Sequence, residues 1–168
     1  VLLPDFVPEG IYAAMVALGA SVAFYPVTTA LRPDGEALRT VVSAFRPDCA
    51  VYIHYFGTWQ QDAAAQFKVC VGEKTLMLED CAHTVADSHL QPTGDIIVFS
   101  HPKMVGVGDG AHIVLRGNAS SLSPPRPQPP TGRDRRLTAL MGAQLRYEHL
   151  MATGIRWRPA QRVLMALT

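Results

Sequence analysis

Thr75-Leu76-Met77-Leu78-Glu79-Asp80-Cys81-Ala82-His83 opens as a short strand-like apolar run, Thr75 to Leu78, and ends on a pair of acids. Just before it, Gln60 to Val71 has helical periodicity, and Cys49 to Ile53 is another apolar run of strand length. The alternation continues outward. Ser21 to Tyr25 is strand-like, and the turn signal Arg32-Pro33-Asp34-Gly35 opens a helical pattern that runs through Phe45 and stops at Pro47. At the start, Val1 to Leu3 leads into a helical pattern from Pro8 to Leu18, closed by Gly19. Strands and helices alternating at this spacing imply an α/β fold, a mainly parallel sheet flanked by helices.

Past His83 the pattern changes. Ile96 to Phe99 and His112 to Leu115 are strand-like, and the loop between them, Ser100 to Ala111, is too short for a crossover helix. A late antiparallel hairpin follows from that. Pro124, Pro125, Pro127, Pro129 and Pro130 then point to an extended spacer. Leu137 to Met151 has the spacing of an amphipathic helix, with Arg133, Arg135 and Arg136 before it and Arg156, Arg158 and Arg162 after it. The expected organisation is a main domain over 1–117, a Pro-rich linker over 118–132 and a basic helical segment over 133–168. No aromatic residues interleave with the arginines, so a packing or solvated face is favoured over a nucleic-acid surface.

The 168 residues are 48% hydrophobic and 17% charged, the balance of a packed core, and the formal net charge of +1 draws the chain to neither nucleic acid nor an anionic membrane. Cys49, Cys70 and Cys81 are odd in number and lack metal-type spacing, so no metal site and a reducing cytoplasm are expected. The most apolar stretch, Tyr12 to Val27, is interrupted by Gly19, Ser21 and Pro26 and falls short of the ~20 residues of a bilayer span. The opening residues lack the basic start and apolar run of a signal peptide.

Ligands of open parallel sheets sit at the carboxyl ends of strands, where Asp80 stands. It could hold a heteroaromatic nitrogen protonated, or simply cap the following helix or pair with a surface base. A nucleotide-hydrolase reading of this acidic strand end fails for want of a G-x-x-x-x-G-K-[ST] loop. His83 follows by three residues, and on a helical turn it would share a side with Asp80. The other histidines receive no ligand role. Lys103 lies just before Gly106, Gly108 and Gly110, in a segment that could bring an amine close to a ligand or could be an ordinary glycine-rich hairpin with an exposed lysine.

As an ordered set, these segments resemble the DegT-like family of pyridoxal-phosphate (PLP) dependent aminotransferases, which act mostly on nucleotide-linked keto-sugars. Leu3-Pro4-Asp5-Phe6-Val7 with Leu18-Gly19-Ala20 looks like the family's strand, helix and Leu-Gly-Ala turn. Ile53-His54-Tyr55-Phe56-Gly57 is similar to its His-x-x-Gly strand end, and Glu79-Asp80-Cys81-Ala82-His83 to its Glu-Asp-x-Ala-Gln/His box. Gly94-Asp95 through Asp109-Gly110 resembles its Gly-Asp, Phe-Ser, Lys and acidic-Gly segment. The resemblance covers Val1 to Leu115 and implies the large domain of fold-type I PLP-dependent transferases.

Carried over residue by residue, the resemblance implies that Asp80 pairs with the pyridinium nitrogen and His83 contacts the ring. It gives Ser100 to the phosphate end and makes Lys103 the catalytic lysine of the internal aldimine. It also implies a keto-sugar substrate, an amino donor such as glutamate, and a homodimer. Ser100 and Lys103 stand about two residues closer than in the family, and Ala111 replaces a family glycine. The family's hydroxyl-rich phosphate-gripping turn has no counterpart upstream, so a truncated member is expected. A catalytically degenerate binding or assembly module is the alternative.

Overall fold

Asp34 starts an amphipathic helix: its Oδ1 accepts hydrogen bonds from the N–H groups of Glu36 and Ala37 at 3.1 and 3.0 Å. Such a cap satisfies donors that the first turn leaves unpaired. The helix, α2, spans Gly35–Phe45 and ends at Arg46 in the left-handed conformation. The computed structural model describes residues 1–85, 89–104 and 110–123. Among the described residues the other strands and α-helices are, in chain order, β1 (Leu2–Pro4), α1 (Glu9–Ala17), β2 (Ala23–Tyr25), β3 (Cys49–Ile53), α3 (Gln61–Val71), β4 (Leu76–Asp80), β5 (Ile96–Ser100), α4 (His101–Met104) and β6 (Ala111–Leu115).

The strands form one sheet in the order β2-β1-β3-β4-β5-β6. The pairs β1–β2, β1–β3, β3–β4 and β4–β5 are parallel, and β5–β6 is antiparallel. Expectation and structure therefore agree on a mainly parallel α/β sheet with a late hairpin. Among the described residues between β5 and β6 stands the single turn α4, with Pro102 early in that turn, where a missing N–H costs nothing.

Side chains alternate between the two faces of the sheet. On one face Leu2, Tyr25, Ala50, Tyr52 and Met77 pack with Leu38 of α2 and with Ala63, Ala64, Phe67 and Val71 of α3. On the other, Leu3, Val51 and Ile53 pack with Tyr55, Leu78 and the partly buried Ile11. The α2 and α3 layer is the better sealed, since α1 has no buried residue. Tyr25 lies in the outermost strand, yet its hydroxyl reaches past β1 to donate to the carbonyl of Val51 at 2.9 Å. Burial pushes this phenol well above its ordinary pKa, so it remains a donor.

The chain divides into two compact units, Val1–Ser100 with His112–Pro124, and His101–Ala111 with Pro125–Thr168. At the end of the first unit Gly117–Ala119 forms a 3-10 turn with Ala119 buried. The rest of the proline-rich stretch and the amphipathic segment over 137–151 lie outside the described residues. Among the described residues, no helix is long and apolar enough to cross a membrane.

Candidate functional site

At the carboxyl end of the sheet Asp80 is in register with Ile53 of β3 and Val98 of β5. The ladder continues one step on each side, His54 N–H donating to the Asp80 carbonyl at 3.0 Å and Cys81 N–H to the Val98 carbonyl at 2.8 Å. Asp80 is thus the last residue of β4, one step before the ladder ends. Its Oδ1 accepts the N–H of Ala82 at 2.8 Å, a local turn that sets the carboxylate's orientation. The described residues that follow Asp80 form a turn, so this oxygen serves that turn.

His83 lies in the turn that follows, closed by Thr84 N–H to the Cys81 carbonyl at 2.9 Å. That brings the half-buried His83 onto the same short turn as Asp80. Its imidazole lies nearly parallel to the ring of Phe56, at 12° and 6.1 Å between centroids. Phe56 is 69% exposed and has φ +52°, a left-handed backbone that costs a non-glycine residue about 1–2 kcal/mol. The next residue, Gly57, has φ +78°, and a Cβ there would stand 3.0 Å from the His83 carbonyl oxygen. Phe6 also faces solvent, 6.4 Å from Phe56, and its carbonyl accepts the Tyr55 hydroxyl at 2.6 Å. Aromatic rings therefore border the strand ends.

Ser100 is the last residue of β5, two positions past the Val98 that pairs with Asp80, and is half-buried. Asp80, His83 and Ser100 accordingly belong to one end of one sheet. Lys103 is exposed on α4, in the second unit. Within that unit, His101 N–H donates to the Gly110 carbonyl at 3.1 Å, which draws the ends of the intervening segment together.

Behind the rim lies a pair that the sequence reading left without a role. His54 Nε2 and Glu79 Oε1 are 2.7 Å apart, and both side chains are fully buried. His54 Nδ1 accepts the N–H of Gln60 at 3.2 Å, so the ring proton sits on Nε2 and points to Glu79. Glu79 Oε2 accepts the N–H groups of Thr93 and Gly94 at 2.7 and 2.6 Å. Trp59 stacks on His54 at 4.1 Å between centroids. The carboxylate thus joins β3, β4 and the approach to β5.

Donor atoms of His54, Glu79 and Cys81 lie within 4.8 Å of one another. Such a trio could suggest a metal centre, but the His54–Glu79 hydrogen bond uses the atoms that a metal would need. The Cys81 thiol is also pushed far above its ordinary pKa, first by burial and then by the charges of Glu79 and Asp80, so it is held as the neutral thiol.

Neither a protein-family model nor a curated protein sequence matches the chain. Solved structures do. The chain is similar to the sugar aminotransferase CalS13 from Micromonospora echinospora, at 21% identity and a TM-score of 0.53, over 70% of this chain and 35% of that one. It is similar to histidinol-phosphate aminotransferase from Sinorhizobium meliloti, solved in complex with pyridoxal-5'-phosphate, at 16% identity and a TM-score of 0.54, over 69% and 35%. L-threonine transaldolase from Pseudomonas fluorescens matches at 18% identity and a TM-score of 0.57, over 73% and 30%. What they share with this chain is the fold. The chain spans about a third of the length of each of these proteins.

Proposed function

We propose that the chain is the cofactor-binding portion of a PLP-dependent aminotransferase that acts on a keto-sugar, nucleotide-linked, with glutamate or a similar amino donor, and that works as a homodimer. The observation that carries this reading is the placement of Asp80, its carboxylate oriented by Ala82 N–H at the end of a central parallel strand, on one turn with His83. The fold, shared with solved PLP enzymes, supports it.

When bound, PLP supplies a protonated pyridine ring that draws electrons from the substrate carbon bearing the nitrogen. Asp80 is the residue that would hold the proton on the ring nitrogen, since a half-buried carboxylate favours the cationic form of a base next to it. His83 would lie against the ring, and the Ser100 hydroxyl would donate to the phosphate. Lys103 would offer its amine to the cofactor aldehyde and carry the proton between substrate carbon and cofactor carbon.

The test is spectroscopic. Adding PLP to the native protein should produce a visible absorption band that Lys103→Ala abolishes, and glutamate should then aminate a nucleotide-linked keto-sugar. A band that survives Lys103→Ala overturns the lysine assignment. Tight binding of PLP with no amino transfer would point to a degenerate member of the family.

A further inference from the structure

We propose that Phe56 is a positioning residue, its ring backing one face of the His83 imidazole so that His83 offers its other face to the planar cofactor. The inference rests on the cofactor reading above and adds to it a residue which that reading leaves out.

Three observations carry it. The two rings are nearly parallel, at 12° and 6.1 Å, within the range of offset stacking. Phe56 occupies a left-handed backbone with 69% of its surface in water, so core burial does not account for a phenylalanine at this position. The turn bearing Phe56 is also locked against the turn bearing His83: Gly57 approaches the His83 carbonyl so closely that a Cβ would sit 3.0 Å from it. Phe56 and His83 therefore keep a fixed relation, and the rest of the rim near Phe56 is aromatic, with Phe6 and Tyr55 at 6.4 and 6.3 Å.

A small side chain that accepts the left-handed conformation separates this role from folding. Phe56→Asn removes the ring while asparagine tolerates the backbone, so the melting temperature should hold. PLP affinity, titrated by absorbance in the native protein, should weaken about fivefold in Phe56→Asn, the scale of one aromatic contact. Phe56→Tyr should bind as the wild type does. In a His83→Ala background the Phe56→Asn effect should vanish, because the residue acts through the imidazole. An unchanged affinity in Phe56→Asn overturns the inference, as does an equal loss with and without His83, or a loss in Phe56→Tyr. If the wild-type protein fails to bind PLP, the cofactor reading falls and this inference falls with it; binding that is indifferent to Phe56 removes this inference alone.

Discussion

His54 donates to Glu79 at 2.7 Å across the ends of β3 and β4, with neither side chain reaching solvent. Every polar atom of the two side chains has a partner: Gln60 N–H on one imidazole nitrogen, Glu79 on the other, and the N–H groups of Thr93 and Gly94 on the second carboxylate oxygen. A buried charge is tolerable only when it is satisfied in this way.

Glu79→Gln cannot reproduce that arrangement. Its amide nitrogen must face either the His54 N–H or the paired N–H groups of Thr93 and Gly94, donor against donor. Urea unfolding should show a loss of about 2–3 kcal/mol, and His54→Ala a loss of about 3 kcal/mol, since it strips a partner from a buried carboxylate. A change below ~0.5 kcal/mol in Glu79→Gln would mean that the pair contributes nothing to stability.

Gly94 is required for a steric reason. A Cβ there would fall 2.7 Å from Glu79 Cβ and 3.1 Å from the Met77 carbonyl oxygen. Gly94→Ala should therefore force β4 and the 93–94 turn apart and cost about 1–3 kcal/mol. Thermal unfolding checks it: a melting temperature equal to wild type would show that the turn yields freely.

Asp95 gives the fold an acid limit. Burial alone would raise its carboxyl, but hydrogen bonds from Lys68 Nζ at 2.6 Å and Met77 N–H at 2.9 Å, the Lys68 charge and the N–H of Asn118 outweigh it, and the pKa is lowered. A carboxyl lowered in the folded state stabilises above its unfolded pKa, and that contribution is lost as pH falls through the depressed folded value. Stability should thus decline below the ordinary aspartate range, and Asp95→Asn should be less stable near neutrality and flatter across the acid limb. Denaturation midpoints measured from pH 7 downward decide it.

Asp80→Asn separates chemistry from architecture. Asparagine keeps an oxygen for the Ala82 N–H, so stability should stay within ~0.5 kcal/mol of wild type. It removes the negative charge that holds a ring nitrogen protonated, so amino transfer by the native protein should fall about a hundredfold or more. Full activity in this variant would remove Asp80 from the cofactor reading.

The sequence was most legible where local chemistry punctuates it. Cys49–Ile53 and the helix ending at Phe45 appear as expected, because Asp34, Gly35 and Pro47 fix their limits by turn and cap preferences. β4 runs two residues further than its apolar run, since Glu79 and Asp80 pair with Tyr52 and Ile53 although both are acids. Burial of Glu79 depends on partners from other strands, which composition does not reveal. β2 is shorter than expected, beginning at Ala23. Asp80 and His83 were legible as a pair because they share one turn. The His54–Glu79 bond was not, since its members are 25 residues apart and meet only through strand register.

The hydroxyl of Tyr25 gives the outermost strand an anchorage that three residues of ladder could not supply. Lifting that strand away would pull a phenol from its acceptor in the middle of the sheet and strip Phe67 of one of its two ring neighbours, at 5.2 Å. This margin therefore does not unravel by itself: it comes apart together with the centre or stays shut, which guards a vulnerable border against pairing with stray chains.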